Sequence, residues 1–436
     1  MAIESPDQVN FFDKEINECP YPAYQVLRDD APVWVDPFTG MYVVTRFEDI
    51  KDILSNPEVF TNAVGSAAGM TEKAVRPTDP EELRKALEAE DQERQIKELY
   101  ENEGWPPTRT LDALDGDPHS QLRAMMNKAF RPARIKELDP YVEGLANRLF
   151  DKFQDQGACE WVAAYAIPIP LFTIGKQMGV PEEEMYKIKG WTDAWVQRLG
   201  LMQTFEERMW SARKEIESQH YFKAIFDRLR EHPEDTVLSD LVNEQIPEWG
   251  RTLTDQELLS EMMADIFVGG SETTTNAISG GLRMLCEQPD KWEQLKSDPD
   301  KYIPVFCEEA VRLEGPVQGL LRETSREVEM HGVTIPAGAI VNLRFAAANR
   351  DERHFECPAD LDLDREDARQ QIGYGFGAHY CLGAPLARRE LYWAFKVLVD
   401  RVENVRFAPS KNNFEYQPNY FLRSIKELYV EFDLKK

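Results

Sequence analysis

The stretch TLTDQELLSEMMADIFVGGSETTTNAISGGLRMLCEQPD, residues 252–290, constrains the fold more than any other. Thr254 and Glu257 form a capping box, and apolar residues recur at helical spacing at Leu259, Met262, Met263, Ile266, Ala277, Ile278, Leu282 and Leu285. This predicts a long, largely buried helix, around which the rest of the chain must pack. Its apolar stripe breaks at GGSETTT, residues 269–275. Two glycines there cost roughly 1 kcal/mol each against alanine, and three threonines are poor helix formers, so another demand favours these residues. Glycine permits close approach of a flat ligand or a backbone, and threonine can bond back to a carbonyl and open the ladder locally. Asp265, Gly269 and Thr273, at i, i+4 and i+8, fall on one face, with Glu272 beside the threonine. A plain helix kink with a solvent-facing glutamate is the alternative.

Other segments complete a mainly α chain with small β-sheets, an α+β class. APVWVDPFTGMYVVTRFEDIKDIL reads as strand, Pro/Gly turn, strand and then a helix from about Asp49. Helical spacing dominates from about 119 to 290, and EVEMHGVTIPAGAIVNLRF, 327–345, is β-rich with two turn signals. From Pro80 to Glu103 the chain is charged almost all round, which predicts a solvated helical excursion. Without repeats or low-complexity linkers, one domain over 1–436 is expected, with 62–116 a variable insertion within it.

A second constraint is IGYGFGAHYCLGAPLARREL, 372–391, where glycines crowd the approach to Cys381 and a helical pattern leaves it. A thiol at a helix start feels free N–H donors and the positive end of the dipole, and both favour the thiolate. As a nucleophile Cys381 would need a base, and only His379 is near in sequence. As a zinc ligand it would need partners, and the six cysteines form no CxxC. As the one protein ligand of an iron held by a macrocycle it needs nothing more.

Composition narrows the partners. With 51 Lys and Arg against 78 Asp and Glu the net charge is −27, which disfavours nucleic acid and anionic membranes. The first residues show no basic region followed by an apolar run, and no stretch of about 18 apolar residues occurs, so neither signal peptide nor membrane anchor is expected. Scattered thiols suit a reduced, cytoplasmic protein.

With these elements in place, the chain resembles the cytochrome P450 superfamily of haem-thiolate monooxygenases, of the bacterial type. Tyr374, Gly377, His379, Cys381 and Gly383 match its ligand-loop pattern Phe-x-x-Gly-x-Arg/His-x-Cys-x-Gly. GGSETT matches its distal-helix motif, placing the acid-alcohol pair on Glu272 and Thr273, and EEAVR supplies Glu309 and Arg312. The resemblance runs from about residue 20 to the C-terminus and is weakest over 62–116. It implies the P450 fold with a long central helix over haem b (iron protoporphyrin IX), Cys381 as iron ligand, and Glu272 and Thr273 as the proton-handling pair in O2 activation. It further implies a buried network of Glu309, Arg312 and Arg365, and propionate donors at His119, Arg123, Arg322 and His379. Gly269 would lie against the haem, and Gly269-Gly270 in place of Ala-Gly leaves extra space there. Tyr374 stands where the family has phenylalanine, which touches the packing around the sulfur.

A medium-sized hydrophobic substrate would meet Val268, Val317 and Leu320. Asp265 would either project into that pocket or pair with an arginine of a neighbouring helix. No flavin or nicotinamide motif is present, so electrons are expected from an external ferredoxin and its NAD(P)H-dependent reductase. Lys128, Arg131, Arg134, Arg388 and Arg389 form the candidate docking patch. The same fold could serve a haem isomerase or nitric oxide reductase, and a haem sensor would keep Cys381 without needing Glu272 and Thr273. A cysteine hydrolase is the remote alternative.

Overall fold

A computed structural model describes residues 3–62 and 80–436. Two compact units emerge, each assembled from separated stretches of chain. The first takes Met1–Phe60, Asn127–Ile174 and Gly269–Lys436, and the second takes Thr61–Met126 and Gly175–Val268. Among the described residues no helix is long and apolar enough to cross a membrane.

The first unit carries the β-structure. Its strands are β1 (Val33–Val35), β2 (Tyr42–Val44), β3 (starting at Phe60), β4 (Ala158–Glu160), β5 (Leu320–Thr324), β6 (Val328–Met330), β7 (Val333–Ile335), β8 (Ile340–Leu343), β9 (Val402–Phe407) and β10 (Tyr429–Leu434). A five-stranded sheet has the order β1-β2-β8-β5-β3, and β2 runs parallel to β8 with Tyr42 opposite Val341. The strand-turn-strand signal near residue 40 thus forms an antiparallel pair, Trp34 opposite Val43. Helix Phe47–Ser55, which starts two residues before the expected Asp49, buries Phe47, Ile50, Ile53 and Leu54 against Val341, Leu343, Phe355 and Ile372. The β-rich passage gives β6 and β7 as a hairpin and then β8. A three-stranded sheet has β10 between β4 and β9.

Helices Gly269–Glu287, Pro299–Glu314 and Ala384–Arg401 pack together in this unit. Phe306 meets Phe395 edge-on at 4.7 Å between centroids, and a Cβ at Gly281 would lie 2.8 Å from Phe395. Glycine at 281 is therefore what lets the three helices close on one another, despite its helix-propensity cost.

In the second unit, helix Phe205–Glu231 is the organising element. It starts at a Thr204–Glu207 capping box and packs on helices Met185–Leu199, Pro80–Glu103 and Asp255–Glu261. Phe222 stacks on Phe267 at 5.3 Å and meets Trp191 at 6.2 Å. The charged segment does form helix Pro80–Glu103, but it is not solvated throughout. Leu99 and Tyr100 are buried against Ala212 and Ile216, and Tyr100 donates to Glu215 at 2.6 Å. These apolar residues fall in the last turns of a segment whose averaged charge pattern hid them.

Candidate active site

The capping box at Thr254 starts helix Asp255–Glu261, with Glu257 N–H donating to Thr254 Oγ1 at 3.2 Å and Thr254 N–H to Glu257 Oε2 at 2.8 Å. Next come wide π-type turns over Met262–Val268, then helix Gly269–Glu287. The expected threonine back-bond is present, because Thr273 Oγ1 donates to the Gly269 carbonyl at 3.0 Å. The ladder opens earlier than expected, however, at 262–268 and not at 269–275. Such π segments frequently mark functional sites. Along helix Gly269–Glu287, Gly269 is exposed and Thr273 half-buried while Ser271, Glu272 and Thr274 are buried. One stripe of an otherwise interior helix is thus left open at i, i+4, and Glu272 does not face solvent as a plain kink would have it.

Asp265 has a different partner from the expected arginine. Its carboxyl lies against those of Glu261 and Asp112, with the Asp112 backbone N–H and the Thr110 hydroxyl beside it. Burial, then the Asp112 charge, pushes the Asp265 carboxyl up to about 7, and Glu261 is raised well above the usual range by burial and by Asp265. Two such carboxyls are stable together when they share a proton, as like charges in contact disfavour double ionisation. Glu261 Oε1 also accepts from Leu111 N–H at 2.8 Å, and Ser260 Oγ accepts from Thr108 N–H at 3.0 Å. The pair therefore fastens the 108–112 loop to the helix in the second unit.

Cys381 is exposed and lies just before helix Ala384–Arg401, whose N-cap is Gly383. Its N–H donates to the Tyr374 carbonyl at 2.8 Å, which closes the loop. Gly377 holds φ +72°, and a Cβ there would sit 2.7 Å from the Leu54 carbonyl. By contrast, burial pushes the thiols of Cys159 and Cys286 up to about 12 and raises Cys307 too, so these are structural thiols. All six cysteines are free of disulfides.

Glu309 and Arg312 are fully buried and pair at 2.6 and 2.9 Å, and Arg365 Nε lies 3.1 Å from Glu309 Oε1. Arg312 also donates to the carbonyls of Asn349 (2.9 Å), Pro358 (2.6 Å) and Asp360 (3.1 Å), pinning the chain that leads to the ligand loop. Arg322, on β5, and half-buried His379 belong to the first unit, while His119 and Arg123, on helix Gly116–Ala129, belong to the second. Val317 is half-buried, Val268 buried, and Leu320 is 46% exposed, unusual for a leucine flanked by buried neighbours. Within the first unit, an exposed thiol, an exposed leucine, the open Gly269–Thr273 stripe and cationic side chains form a donor set that fits a flat apolar macrocycle bearing carboxylates and a thiolate-ligated iron.

Two residues of the candidate docking patch are corrected. Arg388 is held by buried Glu308 at 2.6 and 3.3 Å, and Arg389 by Asp139 at 2.7 Å through both Nε and Nη2. Guanidiniums so paired present little net charge. Lys128 and Arg131 are exposed, as is Lys136, and Arg134 is half-buried.

Sequence reasoning passed over four acids and amides. Glu308 and Gln371 grip the ligand loop, Glu261 partners Asp265, and Glu390 is buried against Thr274 with its carboxyl pushed up to about 8 by burial. The doubled acid in EEAVR and the acid closing ARRE were the available signals.

The family described as Cytochrome P450 matches residues 186–432. Cytochrome P450 CYP107DY1 of Priestia megaterium is 31% identical over 91% of this chain and 92% of its own. A steroid C26-monooxygenase of Mycobacterium tuberculosis is 29% identical over 94% and 93%. Among solved structures, cytochrome P450 CREJ in complex with (4-ethylphenyl) dihydrogen phosphate superposes with a TM-score of 0.86 at 28% identity, covering 98% of this chain and all of that one.

Proposed function

We propose, from the premise that the chain belongs to the cytochrome P450 family and is a haem-thiolate monooxygenase, that it hydroxylates or otherwise oxidises a medium-sized hydrophobic molecule. The observation that carries this reading is that one unit holds both an exposed, helix-start Cys381 and the open Gly269–Thr273 stripe. Haem b, when bound, supplies the one-electron and O2 chemistry. Cys381 would ligate its iron, Gly269 would admit the ring, and Arg322 and His379 of the same unit would take its carboxylates.

The remaining work falls to this chain's side chains. With the group bound, Thr273 Oγ1 would hold and deliver a proton and the Glu272 carboxyl would resupply it, both lying on one turn of helix Gly269–Glu287. That acid-alcohol pair favours oxygen activation over isomerase or sensor chemistry. The buried Glu309–Arg312–Arg365 network keeps the ligand loop in place during turnover. Val317 and Leu320 line the substrate side, which suits a terpenoid, steroid or aromatic. The steroid-oxidising relative and the ethylphenyl phosphate bound in the CREJ structure are in keeping with that range. Electrons come from a ferredoxin and its NAD(P)H-dependent reductase in the cytoplasm, with the docking charge narrowed to Lys128, Arg131 and Lys136.

The absorption spectrum of the reduced carbon monoxide complex tests the ligand assignment. A red-shifted thiolate band is expected, and its loss in Cys381→Ala; a wild-type spectrum without that band would defeat the reading. A low-to-high spin shift on titration with steroids, terpenoids or alkylphenols then identifies the substrate class.

A further inference from the structure

Glu308 stands beside the Glu309 of the buried arginine network, yet it faces another way and touches none of those arginines. Its side chain is 3% exposed, and every partner it has belongs to the segment around Cys381. Oε1 accepts from Arg388 Nε at 2.6 Å, while Oε2 accepts from Arg388 Nη2 at 3.3 Å and from Gln371 Nε2 at 3.1 Å. Gln371 Oε1 in turn accepts the Gly373 N–H at 2.5 Å. From the other side, Arg388 Nη1 donates to the Tyr380 hydroxyl at 2.9 Å, and its guanidinium lies 4.6 Å from the centre of the Tyr374 ring. Tyr374 is also the residue whose carbonyl receives the Cys381 N–H. One buried carboxylate thus reaches both ends of the loop that presents the thiol.

We propose that Glu308 is a positioning residue that fixes the 371–381 loop and cancels the charge of Arg388, so that the Cys381 sulfur keeps its full electron-donating character. Arginine stays protonated at any working pH, so its charge can be balanced only by a neighbour. An unbalanced guanidinium in a half-buried setting would draw electron density toward itself and favour the reduced form of the iron centre. Tyr374 serves as the platform on which that guanidinium rests, and a phenol ring meets the requirement as a phenylalanine would. Burial and the Glu308 carboxylate both hold the Tyr374 hydroxyl well above its ordinary range, so it stays neutral and adds no charge of its own.

The test is potentiometric titration of the haem-loaded protein. For a separation on the order of 10 Å and an effective dielectric of about 20, a unit charge is worth roughly tenfold in an equilibrium constant. Glu308→Gln should therefore shift reduction about tenfold toward the reduced form, about 59 mV upward for a one-electron couple. Glu308→Asp should stay near wild type, and the double variant Glu308→Gln/Arg388→Gln should return close to it, because both charges are then gone. A merely structural role would leave the double variant as displaced as the single one, and that result would overturn the proposal, as would an unmoved potential in Glu308→Gln. Should Glu308→Gln not take up haem, Arg388→Gln leaves the Glu308 carboxylate unbalanced instead; a shift of opposite sign is expected, and no shift overturns the idea. The inference rests on Cys381 being the iron ligand, which the carbon monoxide spectrum of the same samples reports separately. A normal thiolate band with an unmoved potential removes the role of Glu308 alone.

Discussion

Asp265→Asn tests the shared proton between Asp265 and Glu261. In the folded chain the Asp265 carboxyl is raised from 3.8 to about 7, so between those values the fold binds a proton that the unfolded chain has released. Stability must then fall as pH rises through that window, and fall further as the more strongly raised Glu261 carboxyl ionises. Raising the carboxyl from 3.8 to about 7 corresponds to a ceiling of about 4 kcal/mol. Asparagine keeps a carbonyl for the Asp112 N–H and offers Glu261 an amide donor at every pH, which removes this penalty. Unfolding entropy of about 2.1 cal/mol/K per residue over 436 residues gives about 0.9 kcal/mol/K, so the variant should melt up to about 4 °C higher above pH 7. Melting both proteins from pH 5.5 to 9 should show the gap widening by about 2 °C up to pH 7. A gap that does not change with pH would refute the shared proton, and so would a variant less stable throughout.

Three further outcomes are expected. Glu309→Ala strands Arg312 and Arg365 without their carboxylate in the interior and should cost about 3–5 kcal/mol in urea unfolding, with faster loss of haem. Gly377→Ala must place a Cβ at φ +72° and against the Leu54 carbonyl, so a loss of at least about 1–2 kcal/mol and a weakened thiolate band should appear together. Charge reversal at Lys128 and Arg131 should slow reduction by a ferredoxin and flatten its salt dependence, whereas the double variant Arg389→Gln/Asp139→Asn should leave both unchanged because the two charges it removes already cancel.

Local rules carried the reading wherever chemistry and spacing lay within one or two helical turns. Thr254 with Glu257, Glu309 with Arg312 and the Thr273 back-bond to Gly269 all pair within four residues, and each forms at hydrogen-bonding distance. Partners far apart in the chain were invisible. Arg388 and Glu308 are 80 residues apart, and Arg389 and Asp139 are 250, so both arginines looked like surface charge. Glu261 and Asp265 lie close in sequence but were missed for another reason: two acids at i, i+4 on an exposed helix repel, and nothing in the spacing suggests that they pair. Burial changes the sign of that rule by keeping a proton between them, and no periodicity reports it. The π turns at 262–268 were likewise unmarked, because MMADIFV has ordinary helical composition.

The position of β10 bears on when this fold can be completed. That strand, Tyr429–Leu434, lies between β4 and β9, so β4 at Ala158–Glu160 has no sheet partner until residues 269 positions later are made (429 − 160). At roughly 5–20 residues per second of synthesis the wait is on the order of 13–54 s. Through that interval the ribosome-bound chain carries an unpaired strand edge, together with a helix Gly269–Glu287 whose neighbours Pro299–Glu314 and Ala384–Arg401 are still to come. A nascent chain stalled before β10 cannot complete the β4-β10-β9 sheet and keeps an edge open to pairing with other chains.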